Sequence, residues 1–320
     1  MSTGSLSNEE FDDYNQTEQD YLNNLDNTDY QDLVQRRLND IDQIQQADKL
    51  LSDPFKIIDL TPNYENSPDT IIIKKKLKYL VENNSDPNGK FSHINKSRGD
   101  GNCFYRCFAF GLIRFLIERC GKDERIEIRS RMKTAFDELT QPPFNYPDFT
   151  TLDIWENFED ILDVIESKLE NRLNLPENIL ASILNEYFNE AAYDNYIVSN
   201  MRFLTSYGLQ LNKGMDPGDS YTNYIAIDQS NFINMRLYCN NNIECMGQDA
   251  DAIQIRALSH VIGLSTKVCY VDLSKPDGYN VDQELVRPDF HKFNEEVVQE
   301  GGQFHINLLY RPGHYDLLIL

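Results

Sequence analysis

One cysteine stands where a polar, glycine-rich turn meets an apolar helix. The turn spans residues 99–102, and Cys103 follows it directly. Apolar side chains at helical spacing predict that a helix begins here: Phe104, Phe108, Leu112 and Phe115. The first N–H groups of a helix have no partner within it, so together with the helix dipole they favour a thiolate and can stabilise an oxyanion. Cys103 is therefore a candidate nucleophile, and its alternative interpretation is a small buried hydrophobic residue.

A thiolate that acts as a nucleophile needs a general base, and the base needs a group that orients it. Among the five histidines, His314 is the strongest candidate, because it begins a short apolar run that predicts a strand. Side chains alternate along a strand, so His314 and Asp316 share one face, as the histidine and the acid of a Cys-His-Asp triad require. Pro312 and Gly313 predict a turn that presents the histidine at the end of the sheet.

One of the other histidines is an alternative candidate for the general base. His305 lies on the preceding strand-like run, residues 304–308, but no acid follows it two positions later. The alternative interpretation of His314 is a surface residue of an edge strand. The sequence alone does not show that His314 meets Cys103. The remaining three histidines have settings typical of a hydrogen-bonded residue in an apolar helix (His260) or of the protein surface (His93 and His291).

Two blocks of the sequence carry a family resemblance. Residues 100–106 and 310–316 resemble the two signature blocks of the otubains, a branch of the OTU cysteine proteases that cleave ubiquitin from proteins. Weaker similarity covers residues 202–206 and 251–272, so the resemblance extends over roughly residues 60–320. It implies an α+β fold of the OTU and papain-like cysteine proteases, in which a small mixed β-sheet is flanked by helices and the nucleophile helix crosses beneath the sheet.

The resemblance also implies a role for each matching residue. Cys103 would be the nucleophile, His314 the general base and then the general acid, and Asp316 the residue that orients the histidine. The implied activity is that of a deubiquitinating cysteine protease, a thiol-dependent ubiquitin hydrolase that cleaves isopeptide bonds after the C-terminal glycine of ubiquitin. The implied partners are ubiquitin and polyubiquitin chains.

An oxyanion loop completes the implied site. By the same resemblance, the backbone amides of Asp100 and Cys103 form the oxyanion hole, and Gly101 and Asn102 shape the loop. Asp100 would then act through its backbone, which is compatible with a turn-forming aspartate. Otubain-like enzymes use no metal or cofactor, and the sequence has no Cys-x-x-Cys pair and no His/Cys cluster at zinc spacing.

Two other functions are weighed against this hypothesis. Some otubains restrain ubiquitin-conjugating enzymes without catalysis, through an N-terminal arm, so such binding is the alternative function and conjugating enzymes are candidate partners. A papain-like peptidase for ordinary peptides is the third hypothesis. It would be expected to carry a signal peptide and disulfides, and the sequence shows neither.

The charge balance narrows the class of partner. The chain of 320 residues has 52 acidic and 30 basic residues and a formal net charge of −22. Such a chain repels nucleic acid and favours a basic partner, which the arginines of the ubiquitin tail would satisfy. The acidity could also serve solubility alone. No apolar run approaches the ~18 residues of a membrane span, so we expect no membrane partner. Six cysteines without a tight framework suit a reducing compartment. We therefore expect a location in the cytosol, with the nucleus as a second location.

The sequence predicts three regions. Residues 1–27 are acidic, contain no Lys or Arg and are poor in aliphatic side chains, so we expect a disordered tail. Residues 28–59 are predicted as an amphipathic helical arm, with a helix to about Leu51 that packs on the domain or docks a partner. Residues 60–320 form the otubain-like catalytic domain. Within it we expect a solvated helix face at Lys74–Lys78, helix from Trp155 to Phe188, and strands only near 266–272, 303–311 and 314–320, which indicates an α+β class.

Overall fold

The computed structural model of the protein describes residues 49–64, 70–83, 90–171, 176–228, 235–276, 278–280, 282–295 and 304–320. The predicted tail, residues 1–27, and the predicted helix as far as residue 48 lie outside this part of the chain. The described residues divide into two compact units. The first unit comprises the described residues up to Gly99, Lys267–Lys292 and Asn307–Leu320, and the second comprises Asp100–Thr266 and Phe293–Ile306.

A six-stranded sheet organises the first unit. Its strands are β1 (Leu51–Lys56), β2 (His93–Ser97), β3 (Ser265–Tyr270), β4 (Asp289–Phe293), β5 (His305–Arg311) and β6 (His314–Ile319). Their order across the sheet is β1-β2-β6-β5-β3-β4, and the pairs β1/β2, β2/β6 and β5/β6 are antiparallel. The two strands β5 and β6 are joined by a turn at residues 312–313, so they form a hairpin.

One helix and a 3-10 segment cover the core of this unit. Helix α1 (Ile71–Glu82) and the 3-10 segment Ile57–Tyr64 pack their apolar side chains against those of the sheet. The resulting cluster includes the buried residues Ile57, Leu60, Ile73, Leu77, Ile94, Leu309 and Leu318. Burial of this apolar surface is the main force that holds the helix on the sheet.

The first unit corrects three sequence predictions. Residues 51–56 of the predicted helical arm form β1, an edge strand that tolerates Pro54 because its register shifts between Leu51 and Pro54. β2 and β4 lie outside the predicted strands. The sequence of β2 is too polar to alternate in hydrophobicity. The basic face of α1 is only partly solvated, because Lys76 is buried, forms an ion pair with Asp272 at 2.7 Å and donates to Ser274.

The second unit is largely helical. Its helices are α2 (Cys103–Glu118), α3 (Lys122–Leu139), α4 (Asp148–Glu170), α5 (Pro176–Ile183), α6 (Ala191–Gln210), α7 (Tyr221–Asp228), α8 (Met235–Tyr238) and α9 (Ala252–Ile262). α6 lies at the centre, in contact with α2, α3, α4 and α9. The predicted helix from Trp155 to Phe188 is divided between α4 and α5, and Pro176 begins the second of them because proline suits the first helical position.

Helix α2 is buried on all sides. Every residue of it except Arg114 and Glu118 is buried, which agrees with a sequence that is apolar almost throughout. One charged residue, Arg106, is among the buried ones. The presence of helices together with one mainly antiparallel sheet confirms the predicted α+β class.

Candidate active site

Cys103 is the first residue of α2, as the sequence predicts. Asn102 is the N-cap residue, and residues 99–102 form what we call the cysteine loop. The side chain of Cys103 is only 2% exposed. Cys103 thus lies beside the first N–H groups of a helix. Its side chain is nevertheless buried.

The Asp100 carboxylate shapes the cysteine loop. It accepts a hydrogen bond from the backbone N–H of Asn102 at 3.1 Å, which is the local bond of an Asx turn. It also accepts two hydrogen bonds from the Arg106 guanidinium, at 3.1 and 2.9 Å. The sequence prediction gave the backbone of Asp100 more weight than its carboxylate, but the carboxylate also ties the loop to the first turn of α2.

Arg106 is buried between two aspartates. Besides Asp100, it donates to both carboxylate oxygens of Asp194 on α6, at 2.7 and 2.8 Å. Burial by itself would lower the pKa of Arg106, but the hydrogen bonds and charges of Asp194 and Asp100 outweigh it and raise the pKa above its usual value. Arg106 is therefore a permanent cation that links the loop to α6.

A second arginine of α6 binds the cysteine loop directly. Arg202 donates to the carbonyl oxygen of Gly101 at 2.9 Å and to the side-chain oxygen of Asn102 at 2.7 Å. It also donates to the carbonyl oxygens of Ile243 and Gln248, at 2.9 and 2.8 Å. Burial lowers the pKa of Arg202 from its usual value. One guanidinium thus joins the loop to the segment that follows α8.

A glycine in the loop allows the loop and this segment to approach each other. Gly101 has φ +74°, a region that favours glycine, and a Cβ atom added there would lie 2.2 Å from the carbonyl oxygen of Gly247. The backbone N–H of Gly247 donates to the side-chain oxygen of Asn102 at 2.9 Å. Glycine at position 101 is therefore required both by the backbone conformation and by the space available.

The first unit holds the other two predicted residues. His314 and Asp316 lie on β6 in the hairpin β5–β6, which we call the histidine hairpin. His314 Nε2 lies 3.0 Å from Asp316 Oδ1, and both side chains are buried. The two groups meet, as the alternation of side chains along a strand predicts.

Two further groups fix the Asp316 carboxylate. The backbone N–H of Ser97 donates to it at 3.0 Å, and Arg311 donates to it at 2.7 Å from the neighbouring strand. Burial by itself raises the pKa of Asp316, but Arg311 and His314 outweigh it and hold the pKa well below its usual range. Asp316 is therefore ionised and can orient His314. Arg311 in turn lies 3.3 Å from the Tyr64 hydroxyl.

The other histidines have different settings. Nδ1 of the rival base, His305, lies 2.7 Å from the Ser265 hydroxyl, and Nδ1 of His260 lies 2.9 Å from the Arg256 carbonyl oxygen. His260 thus has the hydrogen-bonded position predicted for it. The two histidines predicted at the surface are instead half-buried in strands, namely His93 in β2 and His291 in β4.

The sequence analysis assigned no role to the arginines that bind the cysteine loop and the histidine hairpin. Arg106 and Arg202 each stand on a helix that is otherwise mostly apolar, and a buried arginine needs partners for its charge. That pattern is a signal from which both could have been found. Asp194 and Gly247 carry no comparable signal, because only the fold brings them to the cysteine loop.

The part of the chain that the structure describes contains neither a cluster of metal ligands nor a helix suited to a membrane. Within the described residues, no group of three or more His, Cys, Asp or Glu side chains could hold a metal ion. None of the helices described is both long and apolar enough to span a membrane.

Comparison with known proteins gives consistent matches. The family model for Peptidase C65, otubain, matches residues 43–320. Human ubiquitin thioesterase OTUB1 is 28% identical, with 87% of each chain covered. An Arabidopsis thaliana ovarian tumor domain-containing deubiquitinating enzyme is 29% identical over 77% of this chain and 74% of the relative. A solved complex of ceOTUB1 with ubiquitin aldehyde and UBC13~Ub matches with a TM-score of 0.62 at 24% identity, covering 88% of this chain and 98% of that one, which confirms the OTU fold.

Proposed function

The chain belongs to the otubain family of cysteine peptidases, and from that membership we propose that it is a deubiquitinase with Cys103 as nucleophile, His314 as general base and Asp316 as the orienting acid. The observation that carries the proposal is the buried His314–Asp316 pair, 3.0 Å apart, in a chain whose relatives are ubiquitin thioesterases. An oriented imidazole is what a cysteine hydrolase needs beside its thiol.

The first half of the reaction forms an acyl-enzyme. Asp316 binds Nε2 of His314, so Nδ1 takes the proton from the Cys103 thiol. The thiolate attacks the isopeptide carbonyl carbon after the C-terminal glycine of ubiquitin, and the carbonyl electron pair moves onto oxygen. The backbone amides of Asp100 and Cys103 donate to this oxyanion. When the intermediate collapses, the C–N bond breaks and the leaving lysine amine takes the proton from His314.

The second half releases ubiquitin. His314 removes a proton from water, and the resulting hydroxide attacks the thioester carbonyl carbon. Collapse of the second tetrahedral intermediate breaks the C–S bond and frees the ubiquitin carboxylic acid, which loses its proton to water, while His314 returns its proton to the Cys103 thiolate. Side chains, backbone amides and water supply every group that this sequence of steps uses. The acidic chain, with its net charge of −22, favours a substrate with basic residues near the scissile bond.

Replacement of the nucleophile tests the proposal. Cys103→Ser should abolish cleavage of diubiquitin and covalent labelling by a ubiquitin C-terminal electrophile, with a loss of about 10⁶-fold in kcat. Cys245→Ser is the matched control, because Cys245 is an exposed cysteine of the same unit, and it should keep both activities. Cleavage by Cys103→Ser, or loss of labelling in Cys245→Ser alone, contradicts the assignment.

A second function is favoured by the solved complexes that this fold resembles. These contain UBCH5B~Ub or UBC13~Ub together with OTUB1. We propose that the part of the predicted arm before β1 also binds ubiquitin-conjugating enzymes and inhibits them without catalysis. Deletion of residues 1–48 leaves β1 intact and should abolish inhibition of a conjugating enzyme while diubiquitin cleavage stays within about twofold. A full chain that binds no member of a conjugating-enzyme panel refutes this second proposal.

A further inference from the structure

The peptide group between Gly101 and Asn102 is held at both ends. Its carbonyl oxygen accepts from Arg202 at 2.9 Å, and its N–H donates to the Asp100 carboxylate at 3.1 Å. A glycine can rotate its adjoining peptide group at little steric cost, so this peptide plane needs external contacts to stay in one orientation. Two charged groups supply those contacts.

Both contacts lead back to α6. Arg202 belongs to this helix. Asp100 forms an ion pair with Arg106, and Arg106 forms a second ion pair with Asp194 of the same helix. A helix of 20 residues packed against four others is a rigid support. The orientation of the loop peptide is therefore tied to α6 through both charged contacts.

The orientation of this peptide matters for the oxyanion. Because the N–H of Asn102 donates to Asp100, it does not donate to a reacting carbonyl, and the backbone amides of Asp100 and Cys103 carry that task. Rotation of this peptide would break both contacts and reverse the directions of the Gly101 carbonyl and the Asn102 N–H. A carbonyl dipole that faces the developing negative charge opposes it, whereas an N–H group stabilises it.

We propose that Arg202 is a positioning residue of the reaction: it touches no substrate, but its bond to the Gly101 carbonyl keeps the oxyanion loop in the donating orientation. Arg106 performs the same task at the other end of the peptide, through Asp100. The inference rests on the proposed function and adds residues that act through the loop. It predicts an effect on the tetrahedral intermediate and none on the thiol or on ubiquitin affinity.

The test replaces the guanidinium and keeps the charge. In Arg202→Lys, one ammonium group cannot reach four acceptors spaced around a planar guanidinium. We expect kcat for diubiquitin to fall about 100-fold while KM stays within about twofold. The affinity for ubiquitin aldehyde, which forms a tetrahedral adduct, should fall by the same factor as kcat/KM. The rate at which iodoacetamide alkylates Cys103, which needs no oxyanion hole, should stay within about twofold.

Arg125→Lys is the matched control. Arg125 also donates to a carboxylate, that of Glu166 at 2.5 Å, and to a carbonyl oxygen, that of Cys120 at 2.7 Å, but it belongs to α3. Its replacement should leave kcat unchanged. If thermal unfolding shows that Arg202→Lys does not fold, Asn102→Ala takes its place, because it removes one acceptor of Arg202 and should lower kcat about tenfold with the same split between kcat and alkylation.

Two results overturn the inference. One is an unchanged kcat in a folded Arg202→Lys or Asn102→Ala variant. The other is a fall in alkylation parallel to the fall in kcat, which would mean that the thiol and not the oxyanion loop had moved. A wild-type protein that does not cleave diubiquitin refutes the proposed function instead, so the two failures are distinguishable.

Discussion

The cysteine loop and the histidine hairpin hold their aspartates with the same chemical groups in different surroundings. Asp100 accepts from Arg106 and from the backbone N–H two residues later, while Asp316 accepts from Arg311 and from the backbone N–H of Ser97. The difference lies in burial and in the number of partners. Asp316 is completely buried, whereas the Asp100 side chain is 22% exposed and its arginine has a second carboxylate.

This difference separates two ways to position a reactive group. In the hairpin, one carboxylate orients the histidine and also neutralises a buried arginine, so its two tasks cannot be separated. In the loop, the charge of Arg106 stays paired with Asp194 even without Asp100. We therefore expect a change of one atom in the hairpin to cause a large loss of kcat and stability. The same change in the loop should cause a small loss.

The largest expected effect comes from exchanging each carboxylate for its amide. Asp316→Asn should lower kcat by about 10⁴-fold, since an amide can hold the wrong tautomer of His314, and should cost about 3 kcal/mol because the Arg311 charge remains buried. Asp100→Asn should lower kcat only about tenfold and cost about 1 kcal/mol, since its amide oxygen still accepts from the loop. Steady-state kinetics and urea denaturation check both values, and equal losses in the two variants would remove the distinction.

A methyl group added to the loop should have the next largest effect. In Gly101→Ala the added Cβ would lie 2.2 Å from the Gly247 carbonyl oxygen, so the loop must shift, and we expect kcat/KM to fall about 10²-fold. Gly218→Ala is the matched control, because Gly218 has φ +94° and no atom near its Cβ position. It should show a loss of stability of about 1 kcal/mol with full activity. Equal activity in both variants would show that the loop tolerates displacement.

The smallest expected effect is on acid stability. The pKa of Asp316 in the folded protein lies below the value of about 3.9 in an unfolded chain. Its carboxylate therefore contributes stability that is present above about pH 4 and is lost as the pH falls. The unfolding free energies of the wild type and of Asp316→Asn should converge between about pH 4 and pH 2 in urea titrations. A difference that stays constant over this range would mean that Arg311 and His314 do not stabilise the ionised carboxylate.

The sequence predicts the parts of the site that depend on near neighbours. His314 and Asp316 are two positions apart on a strand, and Cys103 follows a turn with its helix signal in the next residues, so local periodicity is enough to find them. The groups that hold them come from far along the chain. Arg202 reaches Gly101 across 101 positions, and Asp194 reaches Arg106 across 88. No local pattern encodes such contacts.

The missed strands have a related explanation. β1 contains Asp53 and Pro54, and β2 is largely polar, so neither shows the alternation by which β5 and β6 are found. Both are strands because of their partners, since β2 pairs with β1 on one side and with β6 on the other. Tertiary pairing here overrides weak local preference.

The position of β6 between β2 and β5 has a consequence for how the protein folds. Ser97 on β2 and Asp316 on β6 are 219 positions apart, so the centre of the sheet closes only after a long loop has been ordered, which predicts slow folding. Until then β1 and β2 form a two-stranded ribbon with an open edge, a structure that is marginally stable and prone to pair with other chains. The polar side chains that make β2 hard to predict from the sequence include Asn95 and Lys96. They would disfavour pairing of the free edge of β2 with other chains before β6 pairs with it.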